Sequence, residues 1–333
     1  MNLPRIAVAT GDPAGIGPEI ALKAALDARV RALCRPLLVG DPAAVELHAK
    51  AAGLTPQLNI IGKAADANWS DGGVNLLDAG DGANVPVIFG KVDAAYGRAS
   101  LSSARRAIKA ALAGEVEAVV AAPQTERSIQ AAGIAFDGYP SFVARETGTP
   151  VSDVYLMICF DDVRIAHATL HVSVREAVAL ITPERVERVI RVTDAALKQI
   201  GIARPKIFVS GLNPHAGEDG MFGAEEIEII APAIARAAQA DIEASGPFGA
   251  DTMFRMKGCD AFIVMLHDQG HIAAKLQAFN RTAGLSIGSP ILFSSVAHGS
   301  AHDIAGKGVA DPGAVIEAVT RLAKIRVGEN GRA

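Results

Sequence analysis

The chain has 333 residues, half of them hydrophobic and a fifth charged, with a formal net charge of −4 at pH 7. That length suits two lobes, that composition excludes a disordered chain, and the mild acidity speaks against nucleic acid or an anionic membrane as partner. No run of about 18 apolar residues offers a membrane span, and the first residues lack a signal-peptide pattern, so a soluble cytoplasmic protein is expected.

Short apolar runs alternate with helical patterns, which predicts α/β layering around a mainly parallel sheet. Residues 5–9 read as a strand, followed by a glycine-rich turn and a helix over 18–33. A strand at 37–39 leads into a helix through His48, which places that histidine on a surface helix. Residues 74–77 read as a strand, 78–91 as a long loop, 94–113 as a helix and 117–121 as a buried strand. Farther on, 154–159 and 163–170 pair about a turn at Asp161 and Asp162. Thr182 caps a helix opened by Pro183 and running to Gln199. Residues 207–210 form a strand that ends in GLNPHAGEDG, a loop by composition. A helix over 225–240 and a buried strand over 261–266 follow, the strand delivering HDQGH at its end. A strand at 291–294, a glycine-rich loop and a helix over 313–324 close the chain. One lobe is expected to be discontinuous, residues 1–125 with 280–333, around a middle lobe of residues 126–279. Cys34, Cys159 and Cys259 are far apart among apolar neighbours and read as reduced core thiols.

Three of the eight histidines share one setting. His171, His215 and His267 each lie at or just past the end of a predicted strand, where α/β sheets open onto ligand sites. Converging there, three imidazoles would leave positions open for water or substrate, as a catalytic divalent metal requires. Spacing alone leaves open that they are merely polar loop residues. His167 reads as a packed strand histidine, and His271 and His302 fall in loops that could line a site. The turn GDPAGIGPE, with Gly11 and Gly15, is not the dinucleotide fingerprint. No phosphate-binding P-loop and no nucleophile elbow occurs, which removes the common nucleotide hydrolases and esterases. Residues 298–312, HGSAHDIAGKGVADP, combine Gly299, Gly306 and Gly308 with Asp303 and Asp311, a density of small residues that would let backbone amides approach a ligand.

HGSAHDIAGKGVADP closely resembles the adenine-side NAD loop of isopropylmalate and isocitrate dehydrogenases, and GDPAGIGPEI resembles their opening. With GLNPHAGEDG, GADTMF and HDQG followed by Lys275, the chain resembles, from Arg5 to its last helix, the 4-hydroxythreonine-4-phosphate dehydrogenase family. The resemblance implies an isocitrate/isopropylmalate dehydrogenase-like α/β fold, two α/β/α lobes with a cleft between them, and a homodimer with shared active sites. It places a divalent metal on His171, His215 and His267; three imidazoles suit zinc, and nickel, cobalt or manganese could also fill such a site. NAD falls on Gly11, Gly15, His298, Gly299, Asp303, Gly306, Gly308 and Asp311. Lys275 is implied as substrate contact and candidate acid/base, with Asp251 and Asp268 as candidates for proton relay or support of the ligands. No basic cluster beyond Lys307 awaits a 2′-phosphate, which favours NAD over NADP.

The departures from that family carry the substrate expectation. Where it has Gly-His-Thr-Glu against a phosphorylated substrate, this chain has Gly138, Tyr139, Pro140 and Ser141; its substrate asparagine falls on Gly284 and its arginine on Phe293. The stretches 138–141, 265–271 and 293–311 resemble a sister branch, the terephthalate 1,2-cis-dihydrodiol dehydrogenases. The implied reaction is metal-dependent, NAD-linked oxidative decarboxylation of 1,2-dihydroxy-3,5-cyclohexadiene-1,4-dicarboxylate to protocatechuate. The alternative is a dehydrogenase of a phosphorylated hydroxy acid such as 4-phosphohydroxy-threonine. A third, a metabolite-binding protein that kept the fold without the activity, has the histidines, Lys275 and the NAD loop against it.

Overall fold

The computed structural model describes residues 3–70, 72–80, 86–278 and 282–325. Its elements begin with β1 (Arg5–Ala9), α1 (Gly17–Leu26), α2 (Ala28–Leu33), β2 (Arg35–Gly40), α3 (Pro42–Ala51), β3 (Leu58–Ile61), β4 (Val74–Asp78), α4 (Ala94–Leu112), β5 (Ala118–Ala121), α5 (Glu126–Ala131) and α6 (Tyr139–Thr147). They continue with β6 (Tyr155–Phe160), β7 (Val163–His167), α7 (Val174–Leu180), α8 (Pro183–Gln199), β8 (Lys206–Ser210), α9 (Ala231–Ala238), β9 (Glu243–Phe248), β10 (Ala261–Val264), α10 (His267–Ala278), β11 (Ala283–Ile287), β12 (Phe293–Val296) and α11 (Gly313–Lys324). This is the mixed α/β architecture the sequence pattern predicts.

The chain divides into two compact units, one formed by Met1–Thr147 with Pro290–Lys324 and the other centred on Gly148–Ser289. Residues 126–147, expected in the middle lobe, fall in the first unit, where α4 packs against α5 and α6. In that unit the strand order is β3-β4-β2-β1-β5-β12, and every pairing is parallel. Parallel strands covered on both faces must be apolar throughout, and RIAVA of β1 and AVVA of β5 are buried almost end to end. Leu37, Val39, Leu101, Ile108, Val119 and Phe293 belong to its core.

The second unit has the order β11-β6-β7-β10-β8-β9. β6 pairs antiparallel with β11 and with β7, whereas β7, β10, β8 and β9 run parallel. Its core is built from Ile158, Phe160, Ile165, Met253, Phe262 and Val264.

Several sequence expectations change in the folded chain. The helix expected over 18–33 breaks at Asp27, whose extended backbone ends α1 and whose side chain accepts the N–H of Arg29 to cap α2. HDQGH is not a loop but the first turn of α10. The Gln269 side chain accepts the N–H groups of Met265 and Leu266, two donors that the start of a helix leaves unsatisfied. β3 and β9 carry no clear strand signal, because both are edges: Ile60 is exposed, and β9 contains Gly246 and Pro247, tolerated only where one side of the ladder is unpaired. Of the loop read at 78–91, residues 81–85 lie outside the described residues, and Asp78 closes β4. No disulfide joins the cysteines; burial pushes the Cys34 thiol up to about 12 and the Cys259 thiol to about 11, so both stay protonated.

His48 is not a surface residue. It is 0% exposed, its Nε2–H donates to the Pro13 carbonyl at 2.9 Å, and Phe89 lies edge-on to its ring at 4.8 Å. Burial holds its pKa below the ordinary 6.5. The folded state therefore favours the neutral ring, and the stability this contributes is full above 6.5 and lost as pH falls below it. Thermal melts should show Tm dropping between about pH 7 and about pH 5, and His48→Gln, which keeps a donor for Pro13 and cannot charge, should drop less. Identical drops in the two proteins would remove His48 from that account.

Candidate functional site

Four neighbouring parallel strands of the second unit end on one edge. After β7 comes His171, after β10 comes His267, after β8 comes His215, and after β9 comes Asp251. The rings of His171 and His267 stand 5.6 Å apart, centroid to centroid. His267 Nδ1–H donates to Asp268 Oδ1 at 2.7 Å, which fixes the tautomer and leaves Nε2 available. His271 stacks on His267 at 3.7 Å, and His167 stands 4.8 Å from His271. Four imidazoles thus form a row: His167, His271, His267 and His171.

The inner members of the row are held neutral. Burial, helped by the neighbouring His271, pushes His167 down to about 3, and burial with His267 pushes His271 down to about 4. His167 Nδ1–H donates to the Leu156 carbonyl at 3.3 Å, while its buried Nε2 has no partner. It is the packed strand histidine the sequence suggests. Lys275, exposed on α10, follows His267 and His271 at four-residue spacing on the same helix face.

His215 stands differently. It lies in the turn Pro214–Gly220, where His215, Ala216, Glu218 and Asp219 take φ of 55°, 52°, 43° and 52°. That left-handed region costs an L-residue roughly 1–2 kcal/mol each. Its exposed ring has Nδ1 3.5 Å from Glu218 Oε2 and Phe222 at 5.9 Å. Two of the three expected ligands are side by side, and the third does not close the set. Among the described residues no group of three or more His, Cys, Asp or Glu side chains is placed to hold a metal ion. The donors nevertheless fit one in chemistry and in topology: imidazoles on adjacent strand ends, one already oriented by a carboxylate. Asp251 is exposed in the segment after β9.

In the first unit the opening turn and residues 298–311 dock on each other. Ile16 N–H donates to the Ser300 carbonyl at 2.9 Å. Buried Asp12 accepts from His302 Nε2 at 3.1 Å, and Thr125 Oγ1 lies 3.0 Å from the same nitrogen and 2.9 Å from Ser300 Oγ. Farther along, Glu19 accepts the Ala310 N–H at 2.8 Å, and Lys23 donates to the Gly308 and Ala310 carbonyls at 3.0 and 2.9 Å. Sequence reasoning missed Asp12, Thr125, Glu19 and Lys23. Asp12 and Glu19 belong to the GDP and GPE segments, Thr125 and Lys23 to neither, and all four meet residues of the 300–310 stretch, at least 175 positions away.

These contacts reassign the glycines. A Cβ at Gly15 would collide with Ser300, at Gly11 with the Pro123 carbonyl, at Gly306 with Phe89, and at Gly308 with Ala52. Packing therefore explains four residues expected to approach the cofactor. Gly299 alone among the expected set has open space where a Cβ would stand. His298, Gly299, Asp303 and Asp311 are exposed, Asp311 accepting the Gly313 N–H at 2.9 Å where α11 begins.

The expected substrate wall changes most. Phe293 is 0% exposed and its ring lies tilted at 5.1 Å from that of Tyr139, which is itself buried and points its hydroxyl at the Ala122 carbonyl, 3.4 Å away. Burial pushes the Tyr139 hydroxyl well above its ordinary pKa. Pro140 is buried beside them, and Gly284 lies inside β11 opposite Ile158. Apolar rings standing in for polar side chains are drawn into the core and offer no open surface. Only Ser141, partly, and Lys275 remain accessible from the expected substrate set.

Comparison with known proteins finds relatives over nearly the whole chain. The 1,2-dihydroxy-3,5-cyclohexadiene-1,4-dicarboxylate dehydrogenase of Comamonas sp is 39% identical over 96% of each chain. The D-threonate 4-phosphate dehydrogenase of Cupriavidus necator is 37% identical over 97% of each. The crystal structure of a 4-hydroxythreonine-4-phosphate dehydrogenase from Burkholderia phymatum superimposes with a TM-score of 0.84 at 35% identity, over 98% of this chain and 99% of that one. The model of the pyridoxal phosphate biosynthetic protein PdxA family matches residues 32–322, and this chain belongs to that family of dehydrogenases.

Proposed function

We propose that the chain is a cytoplasmic, homodimeric, NAD-linked dehydrogenase that oxidises a secondary alcohol beside a carboxylate with the help of a divalent metal. The observation that carries this reading is the delivery of His171, His267 and His215 to the ends of three adjacent parallel strands. Those residues would hold the metal, with zinc the first choice for an imidazole set. When bound, the ion would act as a Lewis acid that offsets negative charge developing on a substrate oxygen. Asp268 orients His267 for that task. Lys275, two turns along α10, is placed to contact a carboxylate or to move a proton, and Asp251 is a candidate for relay. In the first unit residues 298–311, fastened through Ser300 and His302 to Asp12 and Thr125, would receive the adenosine part of NAD, and the second unit would carry metal, substrate and dimer contact.

For the substrate we favour the ring cis-diol dicarboxylate. The alcohol would give its hydride to NAD⁺ and its proton to a base, for which Lys275 is the candidate, and the resulting β-keto acid would lose carbon dioxide. Loss of carbon dioxide with ring rearomatisation yields protocatechuate. What supports this is the missing grip on phosphate: Tyr139, Pro140 and Phe293 present no charged donor, and Pro140 lacks an N–H. Because those residues are core here, the support lies in the donors lost and not in an aromatic wall. A second reading, oxidation of a phosphorylated hydroxy acid, is favoured by the likeness to the Cupriavidus necator enzyme.

Replacing His171 or His267 with Ala should cut metal occupancy and turnover together, by about a hundredfold or more, read by elemental analysis and NADH formation. Full activity in a chelated, metal-free sample would end the metal reading. Asp303→Ala should raise KM for NAD and leave that for substrate nearly unchanged; the reverse split would mean the cofactor lies elsewhere. The ring diol should be preferred over 4-phosphohydroxy-threonine by at least about a hundredfold in kcat/KM, as expected for two lost charge-assisted contacts worth ~3 kcal/mol together. Comparable values would install the second reading.

A further inference from the structure

The turn that carries His215 is held in an unfavourable backbone state by something outside itself. GLNPHAGEDG leaves β8 at Gly211 and enters the left-handed stretch at His215. Beneath it lies Glu226, 3% exposed, the first residue of a single π-helical turn, Glu226–Ile230, that leads into α9. Such turns widen a helix by one residue and recur where a side chain must be re-aimed. Glu226 Oε1 accepts the N–H groups of Leu212 and Asn213, both at 2.7 Å, and Oε2 accepts the Asn213 side-chain amide at 2.9 Å. Glu225 takes the same amide at 2.6 Å. Gly211 and Gly217 press against the carboxylate so closely that a Cβ at either would strike it.

We infer that Glu226 is a positioning residue, whose buried carboxylate holds the left-handed turn that presents His215. The inference rests on the reading of His215 as a metal ligand, and extends it to a residue that touches neither metal nor substrate. A carboxylate buried in this way is stable only while its donors remain in place, so the turn and Glu226 stabilise one another. Burial alone would push the Glu226 carboxyl up, yet the bonds from Asn213 and Leu212 leave it below the ordinary range, as a fully engaged acceptor should be. The same loop is tied to the helix of His267, because the Gln269 side chain donates to the Gly211 carbonyl at 3.2 Å. Left-handed backbone and buried carboxylate thus form one device that places His215 relative to the end of β8.

The test uses the full chain, stripped of metal and titrated with Co²⁺, whose visible absorption reports imidazole ligation. Amide exchange over residues 211–223 is followed by mass spectrometry. Glu226→Ala should weaken Co²⁺ binding by at least about tenfold and speed exchange in that segment, the range seen when a residue supporting a metal ligand is lost. Glu226→Gln, which keeps Oε1 for both backbone donors, should stay within about threefold of the parent. Ile230→Ala, which opens the core one turn away and keeps the Glu226 carboxylate, should leave Co²⁺ affinity unchanged. Unchanged affinity and exchange in Glu226→Ala, or equal losses in Ile230→Ala, overturn the proposal. If the parent chain binds no Co²⁺, the metal reading fails, and exchange decides alone: faster exchange in Glu226→Ala but not in Ile230→Ala upholds the role, and no difference sinks it.

Discussion

Parallel pairing of β7, β10, β8 and β9 is the constraint on which the rest of the second unit depends. In a parallel ladder the register fixes all carboxyl ends on one side, so whatever follows each strand is delivered to the same edge. Phe262 opposite Ile165 and the partly buried Phe208 opposite Phe262 set that register. A slip by one residue would exchange the two faces of the slipped strand and mismatch the packing on both. The histidines can therefore sit in exposed or strained segments, since the ladder beneath them does not depend on their loops.

The row of imidazoles shows how burial and function share one region. His167 is fully enclosed, with Gly270 so close to its ring that no side chain could replace that glycine's hydrogen. It supports His271, which stacks on His267. Toward the solvent side the row passes from packing to chemistry, and Asp268 marks the change by taking the Nδ1 proton of His267. His215, reached from a different strand, needs its own support, and Glu226 supplies it.

The first unit solves another problem, that of holding a long loop without regular structure. Residues 298–311 are fastened at the start by Ser300, His302 and Asp12, and at the end by Glu19 and Lys23. A loop fixed in this way has lost most of its conformational entropy before any ligand arrives. Its glycines serve that packing: Gly306 and Gly308 also hold φ of 74° and 70°, which favours glycine whether or not a cofactor is present.

The alternation of apolar runs and helical patterns was enough to predict the α/β class. The end-of-strand positions of His171, His215 and His267 were legible because strand ends follow from local hydrophobicity, and the cap at Thr182 with Pro183 located α8 to its last residue. Edge strands β3 and β9 were not legible, since an unpaired edge tolerates exposed, glycine- and proline-bearing sequence. Nor could local pattern separate a loop from a helix at HDQGH, where Gln269 supplies the missing bonds. Tyr139, Pro140 and Phe293 were read by chemistry alone, and only packing decided that they are core. By itself the sequence determined which residues are suited to bind a metal and a cofactor, because that is a property of the side chains. Tertiary structure alone decided which of them meet, which are enclosed, and that a carboxylate at Glu226 holds the turn of His215, because such contacts join residues whose separation along the chain carries no signal.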